Sequence, residues 1–273
     1  MAADPAQDRS IIEAGRRSVR TDQLLGIERI LVAAPEPMAG REDSTASPPA
    51  TTPVGASISN PSPACGRRLL EELTDGAGPT ELLSELESIY TRERPLGSDV
   101  EGDRTVVFGE GNPCAELMFI GEAPGEEEDR TGRPFVGRAG GKLDEMIAAM
   151  GFTREEVYIA NVLKTRPPQN RTPLQDEVDA SGPFLEAQVS IVRPGVIVAL
   201  GGPAAKLLLR TEAGITRLRG RWGSYLAGGD AFPVMPTFHP AYLLRNPTLE
   251  VRGQVWEDLQ AVLERLGRPI PGR

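Results

Sequence analysis

Four short apolar runs punctuate the second half of this chain: LMFI (117–120), VYIANVL (157–163), VIVAL (196–200) and VMPTF (234–238). Runs of this length, with no polar residue at alternate positions, are strands buried on both faces, as in a parallel sheet. Between them, near 138–150, 175–192 and 202–210, apolar residues recur at helical spacing. QVWEDLQAVLERL (254–266) adds a closing amphipathic helix, and TELLSELESIY (80–90) an opening one with Thr80 as candidate N-cap. Strand–helix alternation places helices on both sides of the sheet. The fold class is therefore α/β: a three-layer α/β/α sandwich around a short, mainly parallel four-stranded central sheet.

The first part of the chain is different. Residues 35–66 are rich in Pro, Ser, Thr, Ala and Gly and nearly devoid of large apolar side chains. Such a segment cannot bury enough surface to offset ordering entropy and reads as a linker. DQLLGIERILVAA (22–34), upstream of it, reads as a short amphipathic helix or a weakly ordered tail. The expected organisation is a mostly disordered extension and linker over 1–79, one domain over 80–267, and a tail over 268–273. No apolar run approaches the ~20 residues of a membrane span, and MAADPAQDRS lacks the features of a signal peptide. Two cysteines, Cys65 and Cys114, suit a reducing compartment. A cytoplasmic monomer is expected.

A net charge of −9 argues at face value against a nucleic-acid partner. The distribution reverses that reading. Residues 1–103 hold 18 acids and 10 bases, whereas residues 104–273 hold 21 acids and 20 bases. The strand–helix region is thus nearly neutral, and a locally basic face on it remains compatible with DNA.

Ligands of open parallel sheets bind at the carboxyl ends of the strands. Four segments fall there: GEAPGEEED (121–129), NVLKTRPPQNRTP (161–173), GGPAAK (201–206) and HPAYLLRNP (239–247). A glycine turn after a strand commonly cradles phosphate. Glu126, Glu127, Glu128 and Asp129 beside this turn would repel it. Taken in order, with VVFGEGNP (106–113) and GRPFVGRAG (132–140), these segments resemble the uracil-DNA glycosylase superfamily, and within it family 4. The resemblance spans roughly residues 80–267 and implies uracil-containing DNA as partner.

Releasing uracil breaks a C1′–N1 bond, leaving an oxocarbenium-like sugar and a uracil anion. A duplex hides that bond, so the nucleotide must rotate into a pocket. That pocket needs a stacking face, a reader of the pyrimidine edge, a donor to the leaving anion, and a group that orients water. The resemblance assigns Phe135 to stacking and Asn161 to the base edge, where an amide accepts from N3–H and donates to O4. His239, the only histidine, would donate to O2 as a neutral imidazole. Glu128 matches the family's candidate for handling water. Glu122 would shape the pocket, in contact with Asn170. The backbone of Glu122–Gly125, including Ala123, would lie against the ring; Ala123 stands where family 1 enzymes carry their water-activating aspartate. Leu243 and Leu244 resemble the apolar wedge that replaces the extruded base. Arg138, Lys164, Arg166, Arg171 and Arg245 are candidates to neutralise phosphates.

One departure is clear. Family 4 holds a [4Fe-4S] cluster with four cysteines, and the corresponding positions here are Thr91, Arg94, Thr165 and Ser181. None supplies a thiolate. No cofactor and no metal ligand are expected. Two alternatives stay open on sequence: a non-catalytic DNA-binding relative, and a glycosylase for another deaminated base.

Overall fold

The computed structural model describes residues 69–71, 73–95 and 104–272. The segment at 22–34, the linker at 35–66 and Cys65 lie outside the described residues. The first long helix, α1 (Pro79–Glu93), has Pro79 in its first turn, where a missing N–H costs nothing. That placement moves the N-cap from the expected Thr80 to Gly78.

From there strands and helices alternate as anticipated: β1 (Glu110–Gly111), β2 (Leu117–Gly121), α2 (Glu126–Thr131), α3 (Arg138–Ala149), β3 (Tyr158–Asn161), α4 (Gln175–Val192), β4 (Val196–Leu200), α5 (Gly202–Leu209), α6 (Ile215–Leu218), β5 (Gly223–Ala227), β6 (Asp230–Thr237), α7 (Pro240–Arg245) and α8 (Leu249–Arg265). The sheet order is β1-β3-β2-β4-β6-β5. Its four central strands are the four apolar runs, all parallel. The sheet has six strands rather than four, because an antiparallel strand closes each edge. The β5–β6 hairpin turns on Gly228 and Gly229, both at positive φ (57° and 94°). A two-residue hairpin of that hand requires such residues.

Both faces of the sheet are covered. Met118 and Ile120 of β2 point into one core with Leu86 and Tyr90 of α1 and Phe184 and Leu185 of α4. Leu117 and Phe119, one residue out of phase, point into the other with Leu143 and Met146 of α3 and Leu259 and Val262 of α8. This two-residue alternation is the strand period. The expected tail begins by folding back: Arg268 pairs with Glu116 (2.6 Å) and lies over the Phe152 ring. No helix among the described residues is long and apolar enough to cross a membrane.

Candidate active site

A cleft of 620 Å³ opens at the carboxyl ends of β2, β3, β4 and β6, and residues of all four predicted segments line it. Phe135, Asn161 and His239, far apart in the chain, meet there.

Asn161 ends β3, paired in register with Gly121 of β2. It is 2% exposed, and its amide oxygen has no hydrogen-bond partner among the described residues. A buried acceptor left unpaired costs about 1–3 kcal/mol, so the position is costly unless a ligand completes it. Gly121 makes the convergence possible. A side chain there would run into both the Asn161 amide oxygen and the Phe135 ring.

Phe135 sits at φ 51°, a left-handed conformation rare for a bulky residue. Two clamps hold it. From one side the Glu128 carboxylate accepts the N–H groups of Val136 and Gly137 (both 2.9 Å) and of Gly125 (3.0 Å). From the other, the Arg154 guanidinium donates to the carbonyls of Phe135 (3.2 Å) and Pro134. Arg154 is itself anchored on Glu110 and Asp144. Gly140 passes so close to the Phe135 carbonyl that any Cβ would collide with it. Neither Arg154 nor Glu110 was singled out on sequence, where each is one charge among many.

His239 is the N-cap of α7, directly ahead of Pro240. Its Nδ1 accepts the Ala241 N–H (3.1 Å), which leaves Nε2 to carry the proton of the neutral ring. Burial, reinforced by the charge of Arg245 and opposed by that of Glu128, pushes its pKa down to about 4. The ring lies 5.7 Å from that of Phe135, tilted by 31°.

The carboxylates divide differently from the sequence expectation. Glu128 lines the cleft, but its oxygens are already engaged by three backbone donors. The Glu122 carboxylate, half-buried in the cleft wall, meets no hydrogen-bond partner among the described residues, and burial raises its pKa. No hydrogen bond joins it to Asn170, whose Oδ1 accepts from Arg166 instead (2.7 Å). Ala123 and Gly125 line the cleft as expected.

Two DNA-contact expectations are corrected. Lys164 is wholly buried and cannot reach a phosphate. Its ammonium points inward, donating to the Asn161 carbonyl (2.7 Å) and to Gln188 over the Phe108 ring, and desolvation lowers its pKa to about 7. Leu243 is buried in the core cluster that also holds Leu143 and Met146 of α3, so it cannot be a wedge; Leu244 stays half-buried. Arg171 is held by both oxygens of Glu177, and Arg166 by Asn170 with Glu126 at 3.5 Å. Arg138 and Arg245 are exposed, the latter on the cleft.

The positions where the resemblance puts cluster ligands do not fit one. Thr91 and Arg94 are exposed, and Thr165 and Ser181 are buried hydroxyls. Cys114 is exposed elsewhere, and no group of three or more potential ligands exists among the described residues.

Fold and cleft together define a three-layer α/β protein with an open cleft at the carboxyl ends of its parallel strands. Residues 108–260 match the Uracil DNA glycosylase superfamily, and the chain belongs to that superfamily. It is similar to the type-4 uracil-DNA glycosylase of Thermotoga maritima, 52% identical over 156 residues that cover 57% of this chain and 80% of the relative. The type-4 enzyme of Archaeoglobus fulgidus is 42% identical over 169 residues, 60% of this chain and 84% of that one. The type-5 enzyme of Thermus thermophilus is 30% identical over 138 residues, 45% and 62% respectively.

Proposed function

We propose that this protein is a monofunctional uracil-DNA glycosylase of the type-4 kind, working as a cytoplasmic monomer in base excision repair. It draws a uracil nucleotide out of DNA and hydrolyses its N-glycosidic bond, leaving an abasic site. The observation that carries this reading is the unpartnered, buried Asn161 oxygen at the floor of a slot walled by an aromatic ring. Uracil N3–H satisfies that acceptor. Cytosine offers a lone pair there, and a buried polar group facing the wrong partner is strongly rejected.

The steps follow from the residues. Phe135 stacks on the extruded ring while Asn161 reads its N3 and O4 edge. As the C1′–N1 bond breaks, its electron pair moves into uracil and builds charge on O2. His239 Nε2–H donates to that oxygen; a preorganised donor of this kind contributes roughly 10²–10³ in rate. Water adds to C1′ and passes its proton to the Glu122 carboxylate. Glu122, whose carboxylate meets no partner among the described residues, orients that water and favours the cationic sugar. Glu128 acts indirectly, by holding the stacking loop. Arg245 and Arg138 neutralise phosphates beside the cleft, and Leu244 supplies what apolar filling the rim offers. The donor set at Thr91, Arg94, Thr165 and Ser181 supports activity without a cluster.

Recombinant protein incubated with a uracil-containing oligonucleotide, followed by alkaline cleavage, tests the reading. Strand scission dependent on uracil is expected, with none on matched thymine or hypoxanthine substrates. DNA binding without scission would overturn it, and scission confined to hypoxanthine would reassign the base.

A further inference from the structure

We propose that Asp258 of α8, which does not line the cleft, is a positioning residue for His239: with Arg219 it fixes the end of β6, from which the imidazole is presented. The inference rests on the proposed role of His239 as donor to uracil O2.

Asp258 is buried, and its carboxylate accepts from the hydroxyl of Thr237, the last residue of β6 (2.7 Å). It also accepts twice from the Arg219 guanidinium, at 2.7 and 3.1 Å. That guanidinium lies over the ring of Phe238, 5.7 Å from its centroid. Phe238 lines the cleft and meets Tyr242 of α7 at 4.7 Å. The two residues directly ahead of His239 are therefore held by one ion pair, Thr237 through its hydroxyl and Phe238 through its ring. The backbone is fixed as well. The Thr237 carbonyl accepts the Gly201 N–H (2.9 Å), and Gly201 comes so near that a Cβ there would stand 3.0 Å from that of His239. Arg219 is anchored in turn: it donates to the Gln254 carbonyl, and the next N–H, of Gly220, donates to the Pro236 carbonyl (3.2 Å).

Stability alone is a poor reason to keep such a pair, since apolar residues of similar volume commonly serve as well. Burial pushes the Asp258 carboxyl up to about 6 against the pull of Thr237 and Arg219, and Glu257, exposed on the same helix, adds to the push. β4, which α8 also covers, carries no charge. A folded pKa above the ordinary 3.8 means that protonating this group favours the fold as pH falls through about 6. The ionised form is thus retained at a cost in stability, and what it secures is the geometry of Thr237 and Phe238. A protonated carboxyl loses its charge toward Arg219 and one acceptor site, so the end of β6 loosens in the same pH window.

His239 is the only histidine, so the imidazole NMR spectrum of the full chain, freed of any tag, reports on one ring. The wild type should show a single neutral tautomer with the proton on Nε2. Thr237→Val, which removes one hydroxyl and keeps the shape, should shift those signals toward mixed tautomers. It should also lower single-turnover kcat on uracil DNA by about tenfold with KM little changed. Thr237→Ser should restore both. In a His239→Ala background Thr237→Val should cost less than about twofold, because the two act through one group. As pH falls through about 6, wild-type imidazole signals should move although the ring itself stays neutral to about 4, and Asp258→Asn should remove that step. Imidazole signals and kcat left unchanged by Thr237→Val, or a rate loss as large in His239→Ala as in the wild type, would overturn the proposal. A wild-type chain that releases no uracil would end the functional reading alone; the imidazole spectra would still decide whether Asp258 and Thr237 position His239.

Discussion

His239 has one proton to offer, and the Ala241 N–H fixes which nitrogen carries it. His239→Ala should therefore lower kcat by roughly 10²–10³ while leaving KM nearly unchanged, as single-turnover kinetics would show. The sign of the pH effect follows from a folded pKa of about 4 against 6.5 for the free side chain. Between those values the unfolded chain takes up a proton that the folded chain resists. Stability falls as pH drops through this window, and the His239 contribution is constant below it. Turnover should show no acid limb from His239 near neutrality. In the proposed role for Glu122, its raised pKa should put an acid limb on kcat above the ordinary 4.5. Glu122→Gln should abolish that limb and cut kcat by about 10²–10⁴. Glu128→Gln behaves differently, because an NH₂ would then face a backbone N–H that now has an acceptor. A loss of about 1–3 kcal/mol in unfolding free energy is expected, readable by denaturant titration.

The junction of β2 with its loop sets the width of the slot. A methyl group at Gly121 would occupy space now shared by the Asn161 amide and the Phe135 ring. Gly121→Ala should reduce kcat/KM on uracil DNA by about 10²-fold, the scale of an ångström misplacement, with the circular dichroism spectrum preserved. Much at this scale was legible in the chain. The apolar runs gave the central strands because burial on both faces leaves an unmistakable composition. The edge strands escaped notice for opposite reasons. Glu110–Gly111 is too short to carry a pattern, whereas the Gly228–Gly229 pair did signal a hairpin and was passed over. Asn161 and His239 were legible because each ends a strand or directly follows one, whereas Phe135, beyond α2, was reached only through the family resemblance. Lys164 was not: its charge suggested the surface, and only the sheet geometry shows the chain turning inward. Arg154 clamps carbonyls 19 and 20 residues away, contacts with no local signature.

Over the whole molecule, charge is segregated along the chain. Residues 104–273 carry 21 acids and 20 bases, so a few unpaired arginines decide the local field. Arg138 and Arg245 are exposed, whereas Arg171 is already neutralised by Glu177. Raising salt should weaken uracil-DNA binding, and Arg245→Ala should reduce the slope of log K against log salt by about 1. Arg171→Ala should leave that slope almost unaltered. Fluorescence anisotropy across a salt series measures both.

Because the sheet runs β3-β2-β4-β6, Asn161 at the end of β3 and His239 just beyond the end of β6 belong to strands separated by two others. No subset of the chain can assemble them early; the last long-range pairing must close before a base has anywhere to go. Catalytic competence is thus a gauge of global cooperativity. In urea, loss of activity and loss of the buried Trp256 signal should superimpose on a single transition, and a chain that lost activity first would have a separately melting rim.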